Sequence, residues 1–235
     1  MSHPTTLVLF DIDGTLLFPD GCGRIALEMA MHDVFGRAAD LASHHFSGKT
    51  DWQSLAELLD LSDKTVQAHM PAFEEAAAYH LGRVIHQHNV RPCPGALALV
   101  EALNCEPAAL VGLLTGNLRA TAPIKLRAAG FDPGVFHVGA YGSEARLRAA
   151  LPPIAIARAE QLTGARFSGR RVVIVGDTEY DVTCGRGVGA RALAVATGFA
   201  SRATLEAHQP DYLFDDLADL PAVMRAIFDS SEPTP

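Results

Sequence analysis

Two carboxylates one residue apart, Asp11 and Asp13, stand at the end of the apolar run Leu7-Val8-Leu9-Phe10 and directly before Gly14 and Thr15. Such a run, closed by a glycine, reads as a buried strand and the sharp turn that ends it. Residues i and i+2 of a strand face the same side, so both carboxylates aim at one point, and Gly14 lets the chain turn just beyond them. Two such groups repel unless a cation lies between them or one keeps its proton. The first arrangement binds a metal; the second pairs an ionised nucleophile with an acid. The structural alternative is a polar turn that merely closes a strand.

A second strand, Arg171 to Gly176, also ends in acidic residues, Asp177 and Asp181. Open parallel sheets gather reactive groups beyond the carboxyl ends of their strands, where Asp11, Asp13, Asp177 and Asp181 can converge. Hard oxygen ligands of this kind suit Mg²⁺. Asp177 or Asp181 serving only as a helix cap is the plainer reading. A third strand, Ala109 to Leu114, ends in Thr115-Gly116-Asn117, where a hydroxyl and turn N–H groups can donate to phosphate oxygens.

In this order, the three strand ends resemble the first, second and fourth signatures of the haloacid dehalogenase (HAD) superfamily, most of whose members are Mg²⁺-dependent phosphohydrolases. The resemblance implies that Asp11 attacks phosphorus and forms an aspartyl-phosphate, and that Asp13 serves as acid and then base. It also implies that Asp11, Asp13 (through its carbonyl), Asp177 and Asp181 hold Mg²⁺, and that Thr115, Gly116 and Asn117 hold the phosphoryl group. The superfamily's third signature, a Lys followed by Pro, has no match. Only Lys49, Lys64 and Lys125 occur. Lys125 follows Thr115 by ten residues, more than two turns down a helix if one starts at once, a long reach. Arg146, in the loop after a short strand at 135–140, is the preferred replacement, with Lys125 and Arg148 as alternatives.

Relatives with other chemistry fit less well. Hydrolytic dehalogenases and phosphonatases of the superfamily lack the second aspartate, which Asp13 supplies here. Sugar-phosphate mutases keep both aspartates, but their early cap histidine has no match near Gly21-Cys22-Gly23-Arg24. A mutase and a non-catalytic phosphate- or metal-binding member remain the alternatives to a phosphatase acting on a small phosphorylated metabolite, similar to phosphoglycolate phosphatases.

The elements that must position these groups alternate in kind. Residues 22–35, a segment opened by Thr50 or Asp51, and a stretch from Ser62 to about His88 divided or kinked at Pro71 all show helical periodicity. Strands and helices then alternate from residue 92 to the helix at 217–228, which implies a doubly wound, Rossmann-like parallel sheet. The expected organisation is an α/β core of residues 1–18 and 92–235 and an inserted helical cap, 19–91, similar to the C1-cap branch. Arg24, Lys49 and Thr50 of that cap are expected to meet the substrate.

Composition narrows the classes further. With 235 residues, of which 49% are hydrophobic, the chain can bury a large core. A net charge of −8 and the lack of basic runs argue against nucleic acid and anionic membranes as partners. No apolar run approaches the roughly 20 residues of a membrane span. Four scattered cysteines and an N-terminus without a signal-peptide pattern suggest a cytoplasmic protein, monomeric or homodimeric. Residues 230–235 read as a frayed tail.

Overall fold

The strand that ends in Asp11 lies at the middle of a six-stranded sheet. The computed structural model describes residues 4–37, 40–41 and 44–229, so the expected tail lies outside the described residues. Thr6–Phe10 (β1) is buried at all five positions and hydrogen-bonded to parallel neighbours on both sides. Its side chains divide as the pleat requires: Leu7 and Leu9 enter one apolar cluster, Val8 and Phe10 another.

After β1 come β2 (Leu17–Phe18), α1 (Cys22–Phe35), α2 (Asp51–Leu59), α3 (Asp63–Val84) and β3 (Arg91–Pro92). Next are α4 (Ala96–Asn104), β4 (Ala109–Leu114), α5 (Ala122–Ala128), β5 (Val138–Ala140) and α6 (Leu151–Thr163). The chain closes with β6 (Val172–Gly176), α7 (Glu179–Cys184), β7 (Arg191–Val195), α8 (Arg202–Ala207), β8 (Tyr212–Phe214) and α9 (Leu220–Phe228). The sheet order is β5-β4-β1-β6-β7-β8, parallel throughout. Successive strands build outward on one side of β1 and then on the other, which opens a crevice at the carboxyl end of β1. Helices α4, α5 and α9 cover one face of the sheet and α6 the other. This is the doubly wound α/β architecture expected from the sequence.

Between β2 and β3, which pair antiparallel, the regular elements are helices. Leu27 and Met31 of α1, Leu55 and Leu59 of α2, and Val66, Phe73 and Ala77 of α3 form their shared apolar cluster. Leu118, from the loop after β4, is buried in the same cluster. The expected division at Pro71 does not occur: α3 contains it and runs on to Val84. Met70 and Phe73, buried on either side of Pro71, hold both halves against the neighbouring helices, so packing outweighs the lost backbone bond. Smaller differences lie at element ends. The strand expected at 135–140 is regular only over Val138–Ala140, and the last helix starts at Leu220, where Asp219 caps it by accepting from the Ala222 N–H.

Among the described residues no helix is long and apolar enough to cross a membrane. Phe73 is fully buried at the centre of the helical cluster. Its truncation to alanine is expected to lower the unfolding free energy by about 3–5 kcal/mol, read from urea denaturation. A loss below about 1 kcal/mol would show that the three helices do not depend on that packing.

Candidate active site

Three carboxylates meet where β1 and β6 end. Asp11, Asp177 and Asp181 are buried, and one oxygen of each lies within 4.8 Å of the others. Each is set by local structure. Asp11 continues β1, its N–H donating to the Val175 carbonyl at 2.9 Å. Asp177 follows the last residue of β6 and accepts from the Thr15 hydroxyl (2.9 Å) and the Phe199 N–H (2.9 Å). Asp181 stands in the first turn of α7, where its carboxylate accepts from the Thr178 N–H and hydroxyl in a capping box. The plainer reading of Asp181 as a cap is therefore correct, and its other oxygen still faces the cluster. Gly14 has φ +90°, and a side chain there would collide with the Asp177 carboxylate. The glycine of the first signature is thus needed for both its turn and its emptiness.

Burial and mutual repulsion raise the proton affinity of this cluster. Desolvation, then the charges of Asp181 and Asp11, push Asp177 well above the carboxylate range. Desolvation lifts Asp181 to about 6 although Arg148 opposes it. The buried Arg148 guanidinium donates to Asp181 Oδ1 (2.5 Å) and to the Leu114 carbonyl (3.2 Å), and lies 3.1 Å from Asp11 Oδ1. Three carboxylates against one guanidinium leave two negative charges, the charge of one divalent cation, and the donor set is hard oxygen. The residues therefore fit Mg²⁺.

Asp13 belongs to a second charge pair. Its Oδ2 accepts from Lys125 Nζ at 2.5 Å, and Lys125 also donates to Asn117 Oδ1 at 2.6 Å. Asp13 Oδ1 is buried without a hydrogen-bond partner among the described residues. The long reach feared for Lys125 disappears because α5 begins only at Ala122, so Lys125 lies in its first turn and leans back toward the strand ends. Gly23 makes room for it, since a Cβ there would lie 2.9 Å from Nζ.

The preference for Arg146 as the third-signature cation is corrected by this geometry. Arg146 is exposed and pairs with Asp63 at the start of α3, 3.2 Å away, outside the cavity. The short 3₁₀ turn Arg148–Ala150 instead buries Arg148 beside the end of β4. Thr50 is a second correction: it caps α2 by accepting from the Gln53 N–H and donates to the Arg146 carbonyl at 2.6 Å, so its hydroxyl is spent on structure. Thr115 is fully buried, and its hydroxyl accepts from the Asn117 backbone and side chain.

A cavity of about 800 Å³ opens over this floor. Asp11, Asp13, Lys125, Arg148, Gly116 and Asn117 line its base. Arg24, Lys49 and Phe46 line it from the helical side, with Arg24 over the Phe46 ring (5.1 Å) and Lys49 paired with Glu57 (2.6 Å). Sequence reasoning missed Thr197 and Phe199, whereas the segment 46–51, which ends in Asp51, was expected to face the site and does line the cavity. Thr197 ties the first-signature turn to β7 by donating to the Gly14 carbonyl at 2.6 Å, and Phe199 contributes a backbone N–H that no side-chain pattern announces.

Known proteins resemble the chain in the same parts. A family model described as HAD-hydrolase-like matches residues 148–220, the segment holding Arg148, Asp177 and Asp181. Pyrophosphatase PpaX of Bacillus mycoides is 23% identical over 225 residues, 94% of this chain and 97% of that protein. A predicted phosphoglycolate phosphatase from Haemophilus somnus superposes with a TM-score of 0.66 at 19% identity, covering 95% of this chain and 99% of the other. CbbY from Rhodobacter sphaeroides, in complex with phosphate, gives a TM-score of 0.67 at 17% identity over 92% and 96% of the two chains.

The buried cluster makes a prediction that needs no substrate. Asp177 and Asp181 hold protons more tightly folded than unfolded, so their contribution to stability is greatest below about pH 4 and is lost as pH rises through about 6. With chelator, thermal stability is expected to fall across that window. With Mg²⁺ at a hundredfold its dissociation constant, about 2.7 kcal/mol is regained at pH 7.5, and the effect fades below pH 5 as the carboxylates protonate. Equal melting temperatures with Mg²⁺ and with chelator at pH 7.5 would rule the cluster out as a metal site.

Proposed function

We propose that the chain is a phosphatase of the haloacid dehalogenase superfamily, a Mg²⁺-dependent phosphomonoesterase acting on a small phosphorylated metabolite through an aspartyl-phosphate, a reading that the matching family model and relatives support. The observation that carries the reading is the convergence of Asp11, Asp177 and Asp181 beside a separately paired Asp13, with Asp11 and Asp13 lining the base of one cavity. The similar proteins, a pyrophosphatase and a predicted phosphoglycolate phosphatase, agree with a small phosphorylated substrate.

The geometry supports distinct roles for the two aspartates of the first signature. Arg148 holds Asp11 through Oδ1, which leaves Oδ2 to attack phosphorus as the bond to the leaving oxygen breaks. Lys125 holds Asp13, which lines the cavity, and the Asp13 carboxyl would give the departing alkoxide its proton. Asp13 then takes a proton from the water that attacks the aspartyl-phosphate, releasing inorganic phosphate and restoring Asp11. Asp11, Asp177, Asp181 and the Asp13 carbonyl would hold Mg²⁺, which supplies charge neutralisation for the phosphoryl oxygens. The turn Thr115-Gly116-Asn117 would cradle those oxygens. Residues 19–91 would act as a cap that excludes water from the core formed by 1–18 and 92–235.

Phosphate release from a panel including phosphoglycolate and sugar phosphates is expected with Mg²⁺, and neither with chelator nor after Asp11→Asn. Release that the variant retains, or no release from well-folded protein, would overturn the reading. Within the active enzyme, Lys125→Met is expected to lower kcat about a hundredfold by freeing Asp13. Arg146→Ala, which only breaks an exposed pair with Asp63, is expected to stay within twofold. The opposite ranking would return Arg146 to the site.

A further inference from the structure

Asp51, the first residue of α2, is the only acidic side chain that the helices α1 to α3 contribute to the cavity lining among the described residues. Four hydrogen bonds fix the turn that carries it against the loops after β4 and β5. Thr50 Oγ1 donates to the Arg146 carbonyl (2.6 Å), and the N–H groups of Asp51 and Trp52 donate to the carbonyls of Gly116 (2.8 Å) and Gly142 (3.1 Å). The fourth is made by the side chain itself, as Asp51 Oδ2 accepts from the Leu118 N–H at 2.9 Å. Leu118 is buried among the helices, and the Ala120 N–H donates to Glu74 Oε1 of α3 at 3.3 Å, so the phosphate-side turn is gripped along its length. The position of Asp51 is therefore set by several independent contacts.

Its second oxygen is free of such duty. Oδ1 accepts no hydrogen bond from any described residue, and it is not among the buried atoms sealed without a partner. An accessible acceptor thus lines the cavity. Asp51 lines the same cavity as Lys125 and Asp13, and Lys125, the Leu118 N–H, Asp13 and Glu74 all act on its charge. On the phosphatase reading Asp13 protonates the leaving oxygen, so Asp51, lining that cavity from the helical side, faces the leaving group. Burial there, opposed by Lys125 and the Leu118 N–H, pushes its carboxyl to about 7, so the charge is poorly solvated and gains from a further donor.

We propose that Asp51 is a specificity-determining residue whose Oδ1 accepts a hydrogen bond from a hydroxyl on the leaving group, so that the substrates are phosphate esters of polyhydroxy alcohols. The inference rests on the phosphatase reading above and deepens it. A polar group built to meet a substrate hydroxyl rejects the analogue that lacks it, because the acceptor is then left unpaired.

Glycerol 3-phosphate and propyl phosphate differ by the hydroxyls alone and are the probes. Wild-type protein is expected to show a kcat/KM at least tenfold higher for glycerol 3-phosphate. Asp51→Ala removes the acceptor, so the ratio is expected to collapse to within about twofold, whereas Asp51→Asn keeps an oxygen for the Leu118 N–H and an amide that can donate to the same hydroxyl, so part of the preference is expected to remain. A structural role alone would lower both esters together and preserve the ratio, which would overturn the proposal, as would a wild-type ratio near one. If neither ester is hydrolysed, the phosphatase reading has failed, and the subsite is then judged by calorimetric binding of the same two esters. A tenfold preference in Kd that Asp51→Ala abolishes supports the subsite, and equal binding of the two esters by the wild-type protein overturns it.

Discussion

Everything at the carboxyl end of the sheet is organised by the cost of bringing acidic groups together out of water. Asp11, Asp177 and Asp181 are each less than one tenth exposed. In bulk water their repulsion would be about 1 kcal/mol per pair at 4 Å, but in this setting it is several times larger. The chain answers with Arg148, with N–H and hydroxyl donors from Thr15, Thr178 and Phe199, and with affinity for a divalent cation. Removing Arg148 from such a buried cluster would leave its carboxylates uncompensated, a loss of about 3–5 kcal/mol for buried ion pairs.

The cations are divided between two jobs. Arg148 serves the cluster that holds the nucleophile, whereas Lys125 serves Asp13 and is itself fixed by Asn117. At the first position a single nitrogen of the guanidinium, Nη2, meets both the Asp11 and Asp181 carboxylates and the Leu114 carbonyl. An ammonium suits the second, where one point charge between Asp13 and Asn117 suffices. The absent Lys-Pro pair thus marks a redistribution of charge.

Much of this was legible in the sequence, and what escaped has a common cause. The buried strands followed from their apolar runs, and the acidic strand ends from the residue types at β1 and β6. The helix start at Thr50 followed from a side chain that satisfies its own neighbours. Positions that depend on where an irregular segment leads could not be read the same way. Lys125 was discounted because a helix was expected directly after Thr115, yet the chain spends residues 115–121 in turns first. Arg146 and Arg148 are two residues apart in an irregular loop, and only the 3₁₀ turn decides which is buried. Asp51 has as its partner the N–H of Leu118, 67 residues away, a backbone group that any residue would supply.

That last contact also explains why the helical insertion and the core are parts of one site. The turn following Thr115 has the cavity-lining residues Gly116 and Asn117 on one side, while Leu118 on the other is buried among the helices. Movement of α2 away from the core would break the bonds of Asp51 to Gly116 and Leu118, and would withdraw the apolar cover of Leu118. Asn117, between those two residues, holds Lys125, and Lys125 holds Asp13. The Asp13 carboxylate is therefore linked to the position of the helices through packed and hydrogen-bonded contacts. On the proposed phosphatase reading, the same enclosed arrangement that aligns Asp13 would keep bulk water from the phosphoryl group.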